Sequence, residues 1–510
     1  MPNEIELKLR ISSTDLSRLR HHPAILAALT GRPVTRKLTS IYYDTPQLAL
    51  LDAGISLRVR RMSGGWFQAV KAAGHSLNGL HQRMEWEDII AAGHPDFSKI
   101  TDPELTRIFD DPVLRAALAP IFTTEVQRTE WHLAWDNGDQ VELALDLGTL
   151  LIDEGGERHP GEPISEIELE LKGGDTVRLF DLALALQQDI PLQLENISKA
   201  QRGYAHYRPQ PPAIVTARRT RLDRHGRASD AFRQIAQECL AQLQGNQEMV
   251  LHGQDAEGVH QMRIALRRLR SAVSIFGDSI DRKCALPLLA EIHWIDGVLG
   301  AARELDVFAA QTLPPMLLHL HGHPGLLQLR ARADDARADA YAAVRAALPS
   351  PRYQHLLLAL GAWLEGNRWH EPGSAEPDVL DIARNMLGKR HRQLLRHGRK
   401  LAKAQPEQRH AARIAAKKLR YTAEFFASLY PGKKTQPLLR PLTRLQDVLG
   451  ELNDIAVTES LVRQLAGNRP GRALDEALHL FAGWNASNAM HRLEDMEQVW
   501  RKFSRCVPFW

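Results

Sequence analysis

Glu4-Ile5-Glu6-Leu7-Lys8-Leu9 alternates charged with apolar side chains over six consecutive residues. A period of two is the mark of a β-strand, because successive side chains leave the backbone on opposite faces. Ile5, Leu7 and Leu9 then face a hydrophobic layer, and Glu4, Glu6 and Lys8 share the other face. The pattern returns at Ser56-Leu57-Arg58-Val59-Arg60, at Arg83-Met84-Glu85-Trp86-Glu87 and at Glu166-Ile167-Glu168-Leu169-Glu170-Leu171-Lys172. So many short alternating runs before residue 207 predict an antiparallel sheet or barrel. Helical insertions are expected at 13–29, 103–119 and 174–188.

One such strand is ordinarily a sheet with a solvated face. Several, sorted into carboxylate-rich and guanidinium-rich sets, point instead to a charged interior. Crowded carboxylates are costly to bury unless a cation neutralises them. Glutamates two apart on a strand offer hard oxygen ligands suited to Mg2+ or Mn2+. The Arg and Lys rows equally demand an anion, and a phosphate chain satisfies both sets.

These residues resemble the CYTH family, the triphosphate tunnel metalloenzymes. The Glu4-x-Glu6-x-Lys8 signature is followed in family order by Tyr42-Tyr43-Asp44-Thr45, Leu57-Arg58-Val59-Arg60, Val70-Lys71, Arg83, Glu85, Arg128, Asp146, Glu168-Leu169-Glu170 and Ser198-Lys199-Ala200. The resemblance implies an eight-stranded antiparallel closed tunnel that binds triphosphate compounds with a divalent metal. It implies metal ligation by Glu4, Glu6, Asp146, Glu168 and Glu170. It also implies phosphate contacts from Lys8, Arg58, Arg60, Lys71, Arg83, Arg128 and Lys199. Lys8, Glu85 and Glu168 stand as candidates for the chemistry itself, with Glu85 and Glu168 both open as the group that positions the attacking water.

Beyond a proline-rich linker at 208–223 the alternation ends, and Ala-, Leu- and Arg-rich segments take up helical spacing. His260-Gln-Met-Arg263-Ile264-Ala-Leu-Arg267-Arg268-Leu269-Arg270 returns as His410-Ala-Ala-Arg413-Ile414-Ala-Ala-Lys417-Lys418-Leu419-Arg420. Val298-Leu299-Gly300 likewise returns as Val448-Leu449-Gly450, each residue 150 positions on. A constant offset implies two similar helical bundles with pseudo-twofold symmetry. Residues three and four apart share a helix face. His260, Arg263, Arg267 and Arg270 therefore form one basic stripe, and His410, Arg413, Lys417 and Arg420 form its repeat. Ile264 with Leu269, and Ile414 with Leu419, are expected to face the core. A third basic run at 389–400 contributes Lys389, Arg390, Arg392 and Arg396. The second repeat departs from the first where Asn453 and Ala456 replace Arg303 and Asp306.

This half resembles the CHAD domain over 225–505. The resemblance implies inorganic polyphosphate bound along a basic groove, which suits rows of Arg and Lys that gain affinity by releasing condensed counterions. Nucleic acid is disfavoured, since the stripes carry no interleaved aromatic residues. Metal ligation by the histidines is disfavoured too: neither His260 nor His410 has a second histidine one turn away, and the adjacent arginines repel a cation.

The expectation is thus an α+β multidomain chain: an N-terminal eight-stranded β tunnel with helices at 1–207, a linker at 208–223, and an all-α pair of pseudo-symmetric bundles at 224–510. Its 510 residues exceed what one hydrophobic core supports. The expected activity is hydrolysis of inorganic triphosphate to pyrophosphate and phosphate. Adenylate cyclase or thiamine triphosphatase activity of the same tunnel, or a non-enzymatic polyphosphate-binding scaffold, are the alternatives. Three distant cysteines argue against a disulfide framework. No signal-like start is visible, and the most apolar runs, 313–318 and 356–364, are short of a membrane span. A cytoplasmic protein with no membrane partner is expected.

Overall fold

The computed structural model describes residues 3–62, 64–72, 74–154, 157–253, 255–277, 280–366, 368–369, 376–399, 401 and 404–510. They divide into two compact units, one of Met1–Pro211 with Pro349–Arg368, the other of Pro212–Leu348 with Trp369–Trp510.

In the first unit, strands β1 (Asn3–Arg10), β2 (Val34–Asp44), β3 (Ile55–Met62), β4 (Gly65–Ala72), β5 (His75–Leu77), β6 (Leu80–Ile90), β7 (Ala119–Ala134), β8 (Gln140–Glu154), β9 (Glu157–Gly173) and β10 (Gln193–Leu194) form one sheet. Their order is β10-β1-β9-β8-β7-β2-β3-β4-β6-β5. Strand β1 also pairs antiparallel with β6, Glu4 opposite Arg83 and Glu6 opposite His81. That pairing closes β1, β9, β8, β7, β2, β3, β4 and β6 into the expected eight-stranded antiparallel barrel, with β5 and β10 as short additions. Closure leaves these strands no unpaired edge. The β5–β6 hairpin turns on Asn78 (φ 54°) and Gly79 (φ 73°), the left-handed pair that a two-residue hairpin loop of this type requires.

The apolar half of each alternating strand faces outward. Leu7, Leu9, Leu143, Leu145, Ile167 and Leu169 are buried under Leu179, Phe180, Ala183 and Leu186 of the helix Val177–Gln187. On another side, Leu57, Val59 and Val70 pack against Leu105 and Phe109 of the helix Pro103–Phe109. Two of the three expected helical insertions are broken by proline. The first splits into Ser13–Asp15, Leu16–Arg20 and Pro23–Leu26, and the second into Pro103–Phe109 and Pro112–Ala117. In each case the ring fixes φ and removes an N–H, so a new helix starts at the proline rather than continuing through it.

The helix Pro351–Glu365 lies in sequence among the helices expected at 224–510 but packs with the barrel. Leu358 and Ala362 join the core around Leu179 and Phe180. Gln354 Oε1 accepts from Leu194 N at 2.9 Å, and Arg368 Nη2 lies 2.5 Å from Asp181. Gly361 permits the contact: a Cβ there would sit 2.2 Å from the Phe180 ring.

The second unit is helical throughout and repeats itself in order. Ala228–Gly245, Glu257–Ile275, Arg282–Val307 and Pro324–Ala347 correspond to Val379–Gly398, Pro406–Phe426, Gly432–Ala466 and Arg472–Ser504. Within each set the first helix packs on the second and the third on the fourth, and the two second helices pack on each other. Leu269 and Leu419 are buried as expected, but Ile264 is only half-buried and Ile414 is 40% exposed. The isoleucines sit about 100° from the buried stripe that Ala265, Leu266 and Leu269 define. The helical run Lys283–His319 is long and apolar enough to cross a membrane by length and composition, with mean hydropathy 1.3 over its most apolar window. Buried Ile292, Ile295, Leu299, Ala302 and Leu305 recur every three or four residues, the stripe of a bundle helix.

Gly361→Val should destabilise the barrel by about 1–3 kcal/mol, since the enclosed Phe180 ring has no room to yield. Chemical denaturation followed by barrel tryptophan fluorescence measures it.

Candidate active site

The charged half of each strand lines a cavity of about 650 Å³ through the barrel. Among the described lining residues are nine Lys or Arg and eight Glu. Register explains how they meet. Lys8 stands opposite Glu168 and Glu6 opposite Glu170 on β1 and β9, Lys71 opposite Glu85 on β4 and β6, and Arg128 opposite Asp146 on β7 and β8.

The resulting ion pairs form a continuous net. Lys71 Nζ lies 2.8 Å from both Glu4 oxygens and 2.9 Å from Glu85. Arg83 donates to Glu4 at 3.0 Å and also to Glu6. Lys8 donates to Glu6 at 2.9 Å and to Glu168. Arg128 grips Asp146 through two bonds of 2.7 and 2.6 Å and reaches Glu168. Lys199, the first residue of the helix Lys199–Tyr207, donates to Glu168 at 2.9 Å and lies 2.7 Å from Asp146. Lys199 and Arg202 both bind Glu166.

At Lys8, Glu85, Asp146, Glu168 and Lys199 burial opposes charge, and the partners outweigh it. Lys71 and Arg58 hold the Glu85 carboxyl at about 2 against its burial. Arg128 and Lys199 do the same for Asp146, also to about 2. Lys199, Lys8 and Arg128 keep Glu168 well below the usual carboxylate range. Arg60 is the exception. Burial, then Arg58 and Arg128 beside it, push its guanidinium down to about 10. Its Nε donates to Ser40 Oγ at 3.0 Å, and among the described residues no carboxylate lies within ion-pair distance of it. The barrel thus holds a cation with no anion of its own.

In the helical unit the two second helices bring Arg267, Arg413 and Lys417 together. Among the described residues none of the three has a carboxylate within ion-pair distance. Burial, then Arg413 and Arg267, push the Lys417 ammonium down to about 7.

The CYTH domain family matches residues 2–204 and the CHAD domain family residues 234–463. A solved CHAD domain from the plant Ricinus communis is 32% identical, with a TM-score of 0.52 over 58% of this chain and 98% of that one. The chain joins a CYTH domain to a CHAD domain. An inorganic triphosphatase of Haemophilus influenzae is 32% identical over 206 residues, 40% of this chain and 55% of that protein. The chain thus spans about half the length of that relative. An uncharacterized protein of Mycobacterium tuberculosis is 26% identical over 542 residues, 99% of this chain and 97% of that one.

Within the CYTH barrel, Glu4, Glu6, Lys8, Arg58, Arg60, Lys71, Arg83, Glu85, Arg128, Glu168, Glu170 and Lys199 all line the one cavity. Asp146 is fully buried behind Arg128. Oxygens of Asp146, Glu166 and Glu168 lie within 4.8 Å of one another, close enough that the three could hold a hard divalent cation. Glu166 had been read only as part of a charged strand face. Its ligand-like position depends on β8 and β9 register, which sequence does not display. Tyr42, part of the Tyr42-Tyr43-Asp44-Thr45 segment, belongs to the site as well. It lines the cavity opposite Arg58 and stacks on Phe122 at 4.5 Å. Burial would raise its hydroxyl, but Arg58 and Arg60 pull it below the ordinary value.

In the CHAD domain, Arg263 and Arg270 both bind Asp296, at 3.3 and 3.0 Å. Arg420 pairs with Glu424 at 3.0 Å, and His410 Nδ1 bonds Asn453 Oδ1 at 2.8 Å. His260 is half-buried, and burial followed by Arg303 pushes it down to about 4. Lys389, Arg392 and Arg396 are exposed on one face of Val379–Gly398. Arg390 is not with them: it is 4% exposed and donates to Ser274 Oγ at 3.1 Å. Lys400 lies outside the described residues.

Glu85 and Asp146 titrate near 2 when folded and near 4 when unfolded. The unfolded chain therefore binds more protons in acid, so their stabilisation is complete above about pH 5 and is lost as the pH falls towards 2. Near-UV circular dichroism across that range should show the barrel giving way below about pH 4; a signal unchanged to pH 2 would contradict the net.

Proposed function

We propose that the CYTH barrel hydrolyses inorganic triphosphate to pyrophosphate and orthophosphate with Mg2+ or Mn2+, and that the CHAD domain binds inorganic polyphosphate. The observation that carries this most is Arg60, a cation inside a barrel whose other charges are largely paired. A condensed phosphate supplies the missing anion, and it brings enough charge to displace Glu4, Glu6 and Glu168 from their ion pairs.

Glu4, Glu6, Asp146, Glu168 and Glu170 are the carboxylates we assign to the metal, with Glu166 beside Asp146 and Glu168. When bound, a divalent cation neutralises phosphate oxygens and lowers the cost of attack by water. Arg58, Arg60, Arg128, Lys71, Arg83, Lys8 and Lys199 bind and align the three phosphates, so the barrier falls by positioning and charge neutralisation. Glu85 or Glu168, both ionised, accepts a hydrogen bond from the attacking water. The water oxygen joins the terminal phosphorus, and the bridging P–O bond breaks with its electron pair on the pyrophosphate.

Inorganic triphosphate is preferred over ATP or thiamine triphosphate because the described lining offers only Tyr42 and His132 as rings, and Tyr42 is already stacked on Phe122. An inactive scaffold is disfavoured because the cations and carboxylates of the signature converge on one cavity. The unpaired Arg267, Arg413 and Lys417 support a linear polyanion in the CHAD domain. Three cysteines far apart in sequence fit a reducing cytoplasm.

Phosphate release from triphosphate, pyrophosphate, long-chain polyphosphate, ATP and thiamine triphosphate, compared with each metal, tests the assignment. Triphosphate should dominate; cyclic product from ATP as the main activity would refute it. Replacing Glu4 and Glu6 together by Gln should lower turnover at least about a hundredfold and leave polyphosphate affinity unchanged. Polyphosphate should also pull the Lys417 pKa up from about 7 towards its ordinary value. Calorimetry in buffers of different ionisation enthalpy should then detect proton uptake near pH 8, which Lys417→Arg removes.

A further inference from the structure

A second cavity of about 200 Å³ lies behind Lys71 and Arg83. Ser56, Lys71, Arg83, Ser198 and Ala200 line both it and the main cavity, so these side chains form a partition between the two. On its far side the smaller chamber is rimmed by Gly74, Ser76 and Gln201, all exposed. The barrel interior therefore has a second route to solvent.

The chemistry of the two cavities differs in one respect. Eight glutamates line the tunnel, whereas no Asp or Glu is among the described residues lining the chamber. Its charges are the cations Lys71 and Arg83, joined by the hydroxyls of Ser56, Ser76 and Ser198. The opening turn of Lys199–Tyr207 forms part of one wall, turning the positive end of that helix towards the space. The described lining offers no carboxylate to a divalent cation, while Lys71, Arg83 and the serine hydroxyls suit a small anion, set beside the apolar Leu51, Ile55 and Ala72. A liquid water occupies about 30 Å³, so the space takes one tetrahedral oxyanion with a few waters.

We infer that this chamber binds metal-free orthophosphate and is the port by which that product leaves the tunnel. The inference rests on the tunnel reading proposed above. Lys71 and Arg83 both hold Glu4 in the absence of substrate. Once Glu4 and Glu6 are engaged elsewhere, Arg83 is released and Lys71 keeps only Glu85; both can then turn to phosphate, and because each faces both cavities they pass it from one to the other. Pyrophosphate, larger and more highly charged, stays with the carboxylate-bound cation and leaves through the main cavity.

The full-length chain tests this with inorganic phosphate as the probe, in EDTA, by isothermal calorimetry. Ser76→Trp from the rim and, separately, Gln82→Trp from the wall fill the chamber, and neither residue belongs to the tunnel net. Each should weaken phosphate binding at least tenfold. Each should also lower steady-state turnover of triphosphate at least threefold, while the single-turnover rate is unchanged. Thermal melting identifies a variant that fails to fold, and the other then decides. Phosphate binding that requires Mg2+, or that both folded variants leave intact, overturns the port. A wild-type chain with no triphosphate turnover would instead sink the tunnel reading, whatever the chamber binds.

Discussion

Everything in the N-terminal unit follows from a sheet built inside out. Its carboxylates and cations alternate with apolar residues, and closure of β1 onto β6 leaves the charges no face but the inner one. Enclosed charges are stabilised where they are matched, because an unpaired one costs several kcal/mol. Cross-strand register supplies the matching, Lys8 with Glu168, Lys71 with Glu85 and Arg128 with Asp146. The outward Leu and Ile then need cover, which the flanking helices provide. A polar lumen and an apolar jacket are two consequences of one period-two pattern.

This arrangement makes ligand exchange the natural chemistry of the lumen. On the function proposed above, a metal and a phosphate chain together carry the same two signs as the pairs they would separate, and the lattice is already shaped for them. Arg60 marks where the lattice is incomplete. The helical unit reaches a similar state by different means, since duplication sets Arg267 from one copy beside Arg413 and Lys417 from the other. One copy alone would present a single basic helix face.

The barrel was legible because alternation reports directly on which side each residue faces. Strand neighbours were less so: Glu166 and Asp146 come together through β8–β9 register, and Tyr42 gains its place from a stack on Phe122. The same limit applies to helices. Lys389, Arg392 and Arg396 share a face, while Arg390 lies one residue and 100° round, in the core. Ile414 looked like core by composition and is displaced by the same geometry. The apolar run at 356–364 gave no hint of its true partner, since a helix buried in its own bundle and one buried on a barrel read alike.

That last helix has a consequence for anyone dividing the polypeptide. Its docking on Phe180 and Leu194 makes the barrel unit a discontinuous piece, closed by a segment encoded well over a hundred residues past the proline-rich stretch. A gene fragment that stops at that stretch would leave Leu179 and Phe180 bare to water. Such a truncation would be sticky by construction, and an intact protein is the smallest unit in which the barrel wears its full coat.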